Sequence, residues 1–471
     1  MKHIFKLLIA SLVIIFSFTS CDDFLSFEPS GALDDTEAFG SAKDIETALN
    51  GAYYTLGTYR FYGRNVIALG DIAADNMWMT GSSGHFDQIY KYTINDDTED
   101  LLNIWSYGYY LLDRCTKLIN AGKELLGTNI SDEDKTSINS SISQAYALKA
   151  LTHFTLVNTF GLPYSDANRS SLGIVIVDEN TIPAFSEISR TTVGDAYDQV
   201  LKEINAAKQN IALTDKSVFY FNEASLAALE ARVKLYMRNY QGAIDAAQET
   251  IDKRGGSLVM NAENYVNMWF DIAPTTEDIF TIGKTPDDNL SSNSLNTLYG
   301  SYNGKATSGL IKLFGENDIR LGLFGDGTGE QVRGLKFDGL SSSRATSNIP
   351  VFRLPEMYLI IAEAKAQLGQ SDAVDYVFEI AKRNPDLEKS NIPTGKDGLL
   401  NFISIERRRE LFQEGHRWSD LRRTGGLLTR DGGSFMITNW DASKFVYPIP
   451  IKEINASGIA QNEGWNGALP K

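Results

Sequence analysis

The stretch Ala231…Leu235-Tyr236…Asn239-Tyr240…Ala243-Ile244…Ala247 decides how this chain is read. Its apolar residues recur at three- and four-residue intervals, the spacing that lines one face of a helix. Alanines stand where two antiparallel helices must approach closely. The run Ala364-Lys365-Ala366-Gln367-Leu368-Gly369, followed by Ala373-Val374, has the same cadence.

That cadence resembles a tetratricopeptide unit, in which stacked helical hairpins bury a shared core. Further stripes extend it in both directions: Leu102, Trp105, Tyr109, Leu112 and Ile119; Tyr146, Ala150, Phe154 and Val157; Ala196, Val200, Ile204 and Ala207; Met357, Ile361, Ala364 and Leu368. Each predicts a helix with one buried face. The pattern predicts about four hairpins. They cover residues 98–160, 192–238, 239–255 (with a partner that the sequence does not place) and 355–383. Between them, residues 57–97 and 256–350 are rich in Gly, Ser, Asn and aromatics. Loops this long in a compact protein are usually functional. The expected fold is therefore mostly α: a tetratricopeptide-like scaffold whose long irregular loops carry the ligand site.

The first residues predict an export signal. Lys2 and Lys6 supply positive charge, and Leu7 to Phe18 is an apolar run. The run is shorter than the about 20 residues a membrane-spanning helix needs and suits a secretory leader. Phe18-Thr19-Ser20-Cys21 resembles a bacterial lipobox, which predicts cleavage before Cys21 and its lipidation. Residues 1–20 are then leader, and residues 21–255 and 256–471 are two regions of one globular unit. The net charge of −16 argues against nucleic acid, whose binding needs a basic footprint. Of the two cysteines, Cys21 is assigned to the anchor. Cys115 is left on a predicted helix as a small core residue.

Several motifs, in order, resemble the SusD/RagB family of surface lipoproteins. They are Cys21-Asp22-Asp23-Phe24-Leu25, Ala48-Leu49-Asn50-Gly51-Ala52-Tyr53, and Gln144 to Leu151 followed by Phe160-Gly161-Leu162-Pro163-Tyr164. The most specific are Arg353 to Ala364 and Ile405 to Trp418 with Asp420-Leu421-Arg422-Arg423. Tyr447-Pro448-Ile449-Pro450 and Gln461 to Trp465 close the series. The resemblance implies a lipid-anchored protein on the outside of a Bacteroidetes-type outer membrane. Such a protein captures an oligosaccharide, or in some members a peptide, and delivers it to a partner TonB-dependent (SusC-like) transporter. It implies no enzymatic reaction and no cofactor.

The best ligand candidate from the residues themselves is the loop from Gly70 to Phe86. It offers Asn76, Trp78, His85 and Phe86 among glycines. Sugars need this mix, because their C–H faces pack on rings and their hydroxyls need planar donors and acceptors. Tyr299 and Tyr302, in Leu298 to Gly304, offer the same chemistry. Asp71 and Asp75 are expected to cap turns. Glu406 to Arg423 is dense in charge, but its acids and arginines interleave at helical spacing, which suits intrachain ion pairs. His85, His153 and His416 lie far apart, which speaks against a metal site or triad. Two rivals stand beside glycan capture: a peptide-binding protein of the same architecture, and a repeat scaffold that binds no ligand.

Overall fold

The computed structural model describes residues 39–79, 84–180, 186–210, 217–325, 332–430 and 435–470. Cys21, the leader expected before it and Asp22-Asp23 lie outside the described residues. The longer helices are labelled α1 (Ala42–Leu56), α2 (Asn65–Ile72), α3 (Glu99–Leu126), α4 (Asp132–Phe160), α5 (Val193–Ala207), α6 (Glu223–Tyr236), α7 (Tyr240–Arg254), α8 (Leu354–Gln367), α9 (Ala373–Ala381), α10 (Lys396–Glu410) and α11 (Arg417–Thr424).

Local chemistry sets the boundaries of these helices. Ser131 starts α4 by accepting the amide of Asp134. Thr192 and Asp195 form a capping box at α5, and Asn222 and Ser225 form one at α6; such caps satisfy amides that the first turn leaves unpaired. The turn quoted first is built as its cadence predicts. Arg238 at φ 60° ends α6, and the Asn239 side chain accepts the Gly242 amide to start α7.

The helices stack neighbour on neighbour. α3 and α4 form the first hairpin, and Gly108 lets them close: a Cβ there would lie 2.9 Å from Leu156. α8 and α9 form the last expected pair, with α10 packed on both. The partner that the sequence could not place for α7 is α6 on one side and α8 on the other. The expected 192–238 hairpin is a looser unit. α5 packs mainly on α4 and α6 mainly on α7, because the connection between α5 and α6 is long enough not to force them together.

The one-faced stripes also prove too narrow for the central helices. Every position of α6 except Glu223 and Lys234 is buried. Neighbours cover it on several sides, so its charged residues need internal partners: Arg232 grips Glu356 with two hydrogen bonds of 2.7 Å. Buried Cys115, as expected, belongs to the main core. That core draws on residues from Ile45 to Ile459, and a smaller cluster sits among α8, α9 and α10.

Among the described residues, strands occur only as two-stranded antiparallel ribbons. β1 (Met77–Met79) pairs with β3 (Gly304–Ala306), β2 (Asp278–Ile282) with β4 (Ile349–Arg353), and β5 (Leu427–Arg430) with β6 (Ile437–Asp441). None of these short strands was expected: β1, β2 and β3 lie inside the two stretches read as irregular, β4 starts at the end of the second, and β5 and β6 lie outside both.

The Glu406–Arg423 segment is the hub of a buried ionic frame. Local pairs of the expected kind exist, Arg409 with Glu406 and Arg423 with Asp420. Most partners come from far away in the chain. Glu406 meets Arg320 at 2.6 Å, Glu410 meets Arg353 at 3.0 Å, and Glu414 meets Lys336 at 2.6 Å. Arg383 bonds Glu277, and Arg423 bonds Glu363. Burial pushes the Glu410 carboxyl up, but Arg383, Arg353 and Arg320 outweigh it and hold the group well below the usual carboxylate range.

Candidate ligand-binding surface

The β1–β3 ribbon brings together the two loop regions singled out in the sequence. Met77 faces Ala306, Trp78 faces Lys305 and Met79 faces Gly304. The Thr307 amide donates to the Asn76 carbonyl at 2.9 Å, and the Thr307 hydroxyl donates to the Asp75 carbonyl at 2.6 Å. His85 and Tyr302, from opposite loops, stack with ring centroids 4.2 Å apart and planes 16° from parallel. Both rings remain partly exposed.

The other predicted contacts lie inside. Asn76 is fully buried; it donates to Asp71 at 2.9 Å and accepts from Arg408 at 2.8 Å. Phe86 is buried at φ 54° beneath the Arg64 guanidinium, 5.7 Å from its ring centroid. Tyr299 is buried against Phe337. Trp78 is 7% exposed, and its indole N–H has no acceptor among the described residues.

The two aspartates, expected to cap turns, are instead held largely by the C-terminal part of the chain. Asp75 takes two hydrogen bonds from Arg417, at 2.7 and 2.9 Å, and lies 3.2 Å from Arg408. Burial raises the Asp75 carboxyl, but Arg408 and Arg417 more than reverse this and hold it well below its ordinary range. Asp71 accepts the amides of Gln413 and Gly415 at 3.1 and 2.7 Å. Burial dominates there and raises its pKa to about 6. Arg430 adds hydrogen bonds to the carbonyls of Ile72, Ala74 and Tyr90. Gly70 packs so tightly on Gly415 that a Cβ would fall 2.0 Å from its carbonyl oxygen. The ionic frame thus clamps the loop from beneath.

Around the stacked pair the surface is polar and cationic. Lys305 and Asn303 flank Tyr302, both partly exposed. Burial and the neighbouring Arg333 lower the pKa of Lys305. Burial, followed by Arg64, lowers that of His85. Arg64, by contrast, is buried: it lies over the Tyr59 ring at 4.8 Å and donates to Asn293 at 3.3 Å. The sequence reading passed over Arg64; its signal was a cation set between Tyr59 and Phe86 in the glycine- and aromatic-rich loop. Among the described residues, no group of three or more His, Cys, Asp or Glu side chains is placed to hold a metal. His153 instead pairs with buried Glu203 at 2.9 Å.

Comparison with known proteins agrees with this architecture. Residues 329–465 match the model of the SusD family, and residues 23–237 match a SusD-like model described as starch-binding and associating with the outer membrane. A SusD-like protein of Formosa agariphila is 26% identical, aligned over 98% of this chain and all of its own. The starch-binding protein SusD of Bacteroides thetaiotaomicron is 36% identical over a shorter stretch, covering 27% of this chain and 24% of that one. A solved SusD superfamily protein of Bacteroides vulgatus, 28% identical, superposes with a TM-score of 0.81 over 90% of this chain and 99% of its own. A laminarin-binding SusD-like protein shares the fold at 20% identity, with a TM-score of 0.72 over 90% of this chain and 99% of its own. The chain belongs to the SusD/RagB family, whose members include glycan-binding proteins associated with the outer membrane.

Proposed function

We propose that this chain is a lipid-anchored glycan receptor, tethered through Cys21 on the outer face of the outer membrane. It captures an oligosaccharide and passes it to a partner TonB-dependent transporter, without chemical change to the sugar. The observation that carries this reading is the His85–Tyr302 stack, built from two distant loops and left partly open to solvent. Stacked rings offer apolar area to a sugar's C–H face. Asn303 and Lys305, both partly exposed, add groups able to bond hydroxyls. Trp78 lines the ribbon beneath and keeps a buried N–H without an acceptor among the described residues. Asn76 helps to hold the two loops in register through its carbonyl, which accepts the Thr307 amide.

The test is calorimetric binding of residues 22–471 to starch, laminarin, xylan, mannan and pectin. Tyr302→Ala and Trp78→Ala are compared with the parent, and product analysis checks for cleavage. Binding without cleavage, weakened at least about tenfold (~1.4 kcal/mol) by Tyr302→Ala, supports the reading. Binding to none of the panel overturns it and moves the assignment to peptide capture.

A further inference from the structure

A second concavity shares no residue with the His85–Tyr302 rim. It is a cleft of about 260 Å³ between the C-terminal half of α1 and the end of β2. Tyr54 and Tyr220 stand at its edge, 65% and 37% exposed, and Phe219 lines it. Asn50, Lys284 and Asp288 supply its polar groups.

Single exposed aromatics are ordinary and need no function. Here their support is specific. Tyr53 meets the Tyr220 ring edge-on, with centroids 4.9 Å apart at 82°. Tyr53 is itself pinned, since its hydroxyl donates to Gln144 at 2.9 Å and accepts the Phe221 amide at 2.8 Å. The Tyr220 hydroxyl donates to Asn50 at 3.3 Å. The floor is closed: a Cβ on Gly57 would lie 2.9 Å from Ile282 and 3.3 Å from the Lys284 ammonium. Lys284 is nearly buried, yet its ammonium reaches half-exposed Asp288 at 3.2 Å. An upright ring, an amide, a carboxylate and an ammonium therefore surround one open cleft. This is the donor–acceptor and ring chemistry that a pyranose chain requires.

The cleft is also connected to the first surface. The segment that begins at Lys284 runs through Asp288 to Asn293, and Asn293 accepts from Arg64 beside Phe86. We propose that the Tyr54–Tyr220 cleft is a second oligosaccharide subsite, engaged by the same polysaccharide chain that occupies the His85–Tyr302 rim. This rests on the glycan reading above. Two subsites on one scaffold favour long ligands, because the second contact forms at high effective concentration once the first is made. A short oligosaccharide gains nothing from the pair.

The experiment compares affinities for each polysaccharide of the panel and for its trisaccharide, using residues 22–471 and the variants Tyr54→Ala, Tyr220→Ala and Tyr54→Ala/Tyr220→Ala. Tyr54 is mostly in solvent, so its removal leaves the fold intact; thermal unfolding checks this for every variant. The expected result is that Tyr54→Ala narrows the gap between polysaccharide and trisaccharide affinity by about fivefold (~1 kcal/mol), and the double variant narrows it further. A folded Tyr54→Ala protein with the parent's gap overturns the second subsite and leaves the glycan reading standing. A parent that binds none of the panel overturns both.

Discussion

Asp71, at the end of α2, and Asp75 and Asn76 beyond it stand in one stretch of sequence with His85, and composition alone does not separate them. The first three are buried and held by arginines and amides from the far end of the chain. His85 reaches the surface and finds its partner, Tyr302, on another loop. One half of the loop is fixed by charge and the other presents a ring to solvent. Polar and aromatic residues in a long loop can therefore serve either to fasten it or to meet a ligand. What distinguishes the two is where the opposing chain lies.

The strongest way to break this contrast is to damage the fastening. Glu410→Gln leaves Arg383, Arg353 and Arg320 facing a neutral amide in a buried site. A loss of about 3–5 kcal/mol is expected in urea unfolding. Because the folded carboxyl is held low, its contribution is present above the unfolded value of about 4.3 and is lost as pH falls through the depressed one. Parent and variant should therefore converge in acid. A neutral-pH loss below about 1 kcal/mol would show that the frame does not fasten the fold.

Asp75→Asn removes the charge from a two-bond arginine clamp and should cost about 2–3 kcal/mol. Amide exchange should rise in residues 71–78, and unchanged protection there would separate the ionic frame from the loop. Asp71 has the opposite sign. Its pKa is raised to about 6, so its contribution is complete below the unfolded value of about 4 and is lost as pH rises through about 6. The stability of the parent relative to Asp71→Asn should fall by on the order of 2 kcal/mol across that window. A flat difference would mean that the three hydrogen bonds to Asp71 outweigh its burial. The smallest stability effect belongs to the surface half: Tyr302→Ala should change unfolding by no more than about 0.5–1 kcal/mol while losing glycan affinity. A large loss of stability would return Tyr302 to the fastening side.

The helical stripes were legible because their period is local. The Asn239-Tyr240 turn was legible because its cap lies within four residues. The frame was legible only as charge. Helical spacing suggested local pairs, whereas Arg320, Arg353, Arg383 and Lys336 arrive from elements that no sequence window spans. The ribbon that carries Trp78 pairs three residues with three others more than two hundred positions away, and so short a run has no alternation to detect. At the candidate site the residue types were legible, but their depth was not. Trp78 and Tyr299 have the composition of a platform and lie inside, because the opposing loop covers them.

Cys115 has a practical consequence for every experiment above. It is buried among apolar neighbours, and burial lifts its thiol to about 12; a thiol so placed stays protonated and unreactive at neutral pH. The chain holds only two cysteines, and a soluble form beginning at Asp22 omits the other. A single cysteine introduced beside Tyr54 or Tyr302 would then be the one thiol that maleimide reagents find. Each proposed subsite could carry its own dye on an otherwise silent protein, and the arrival of a polysaccharide at one could be timed against its arrival at the other.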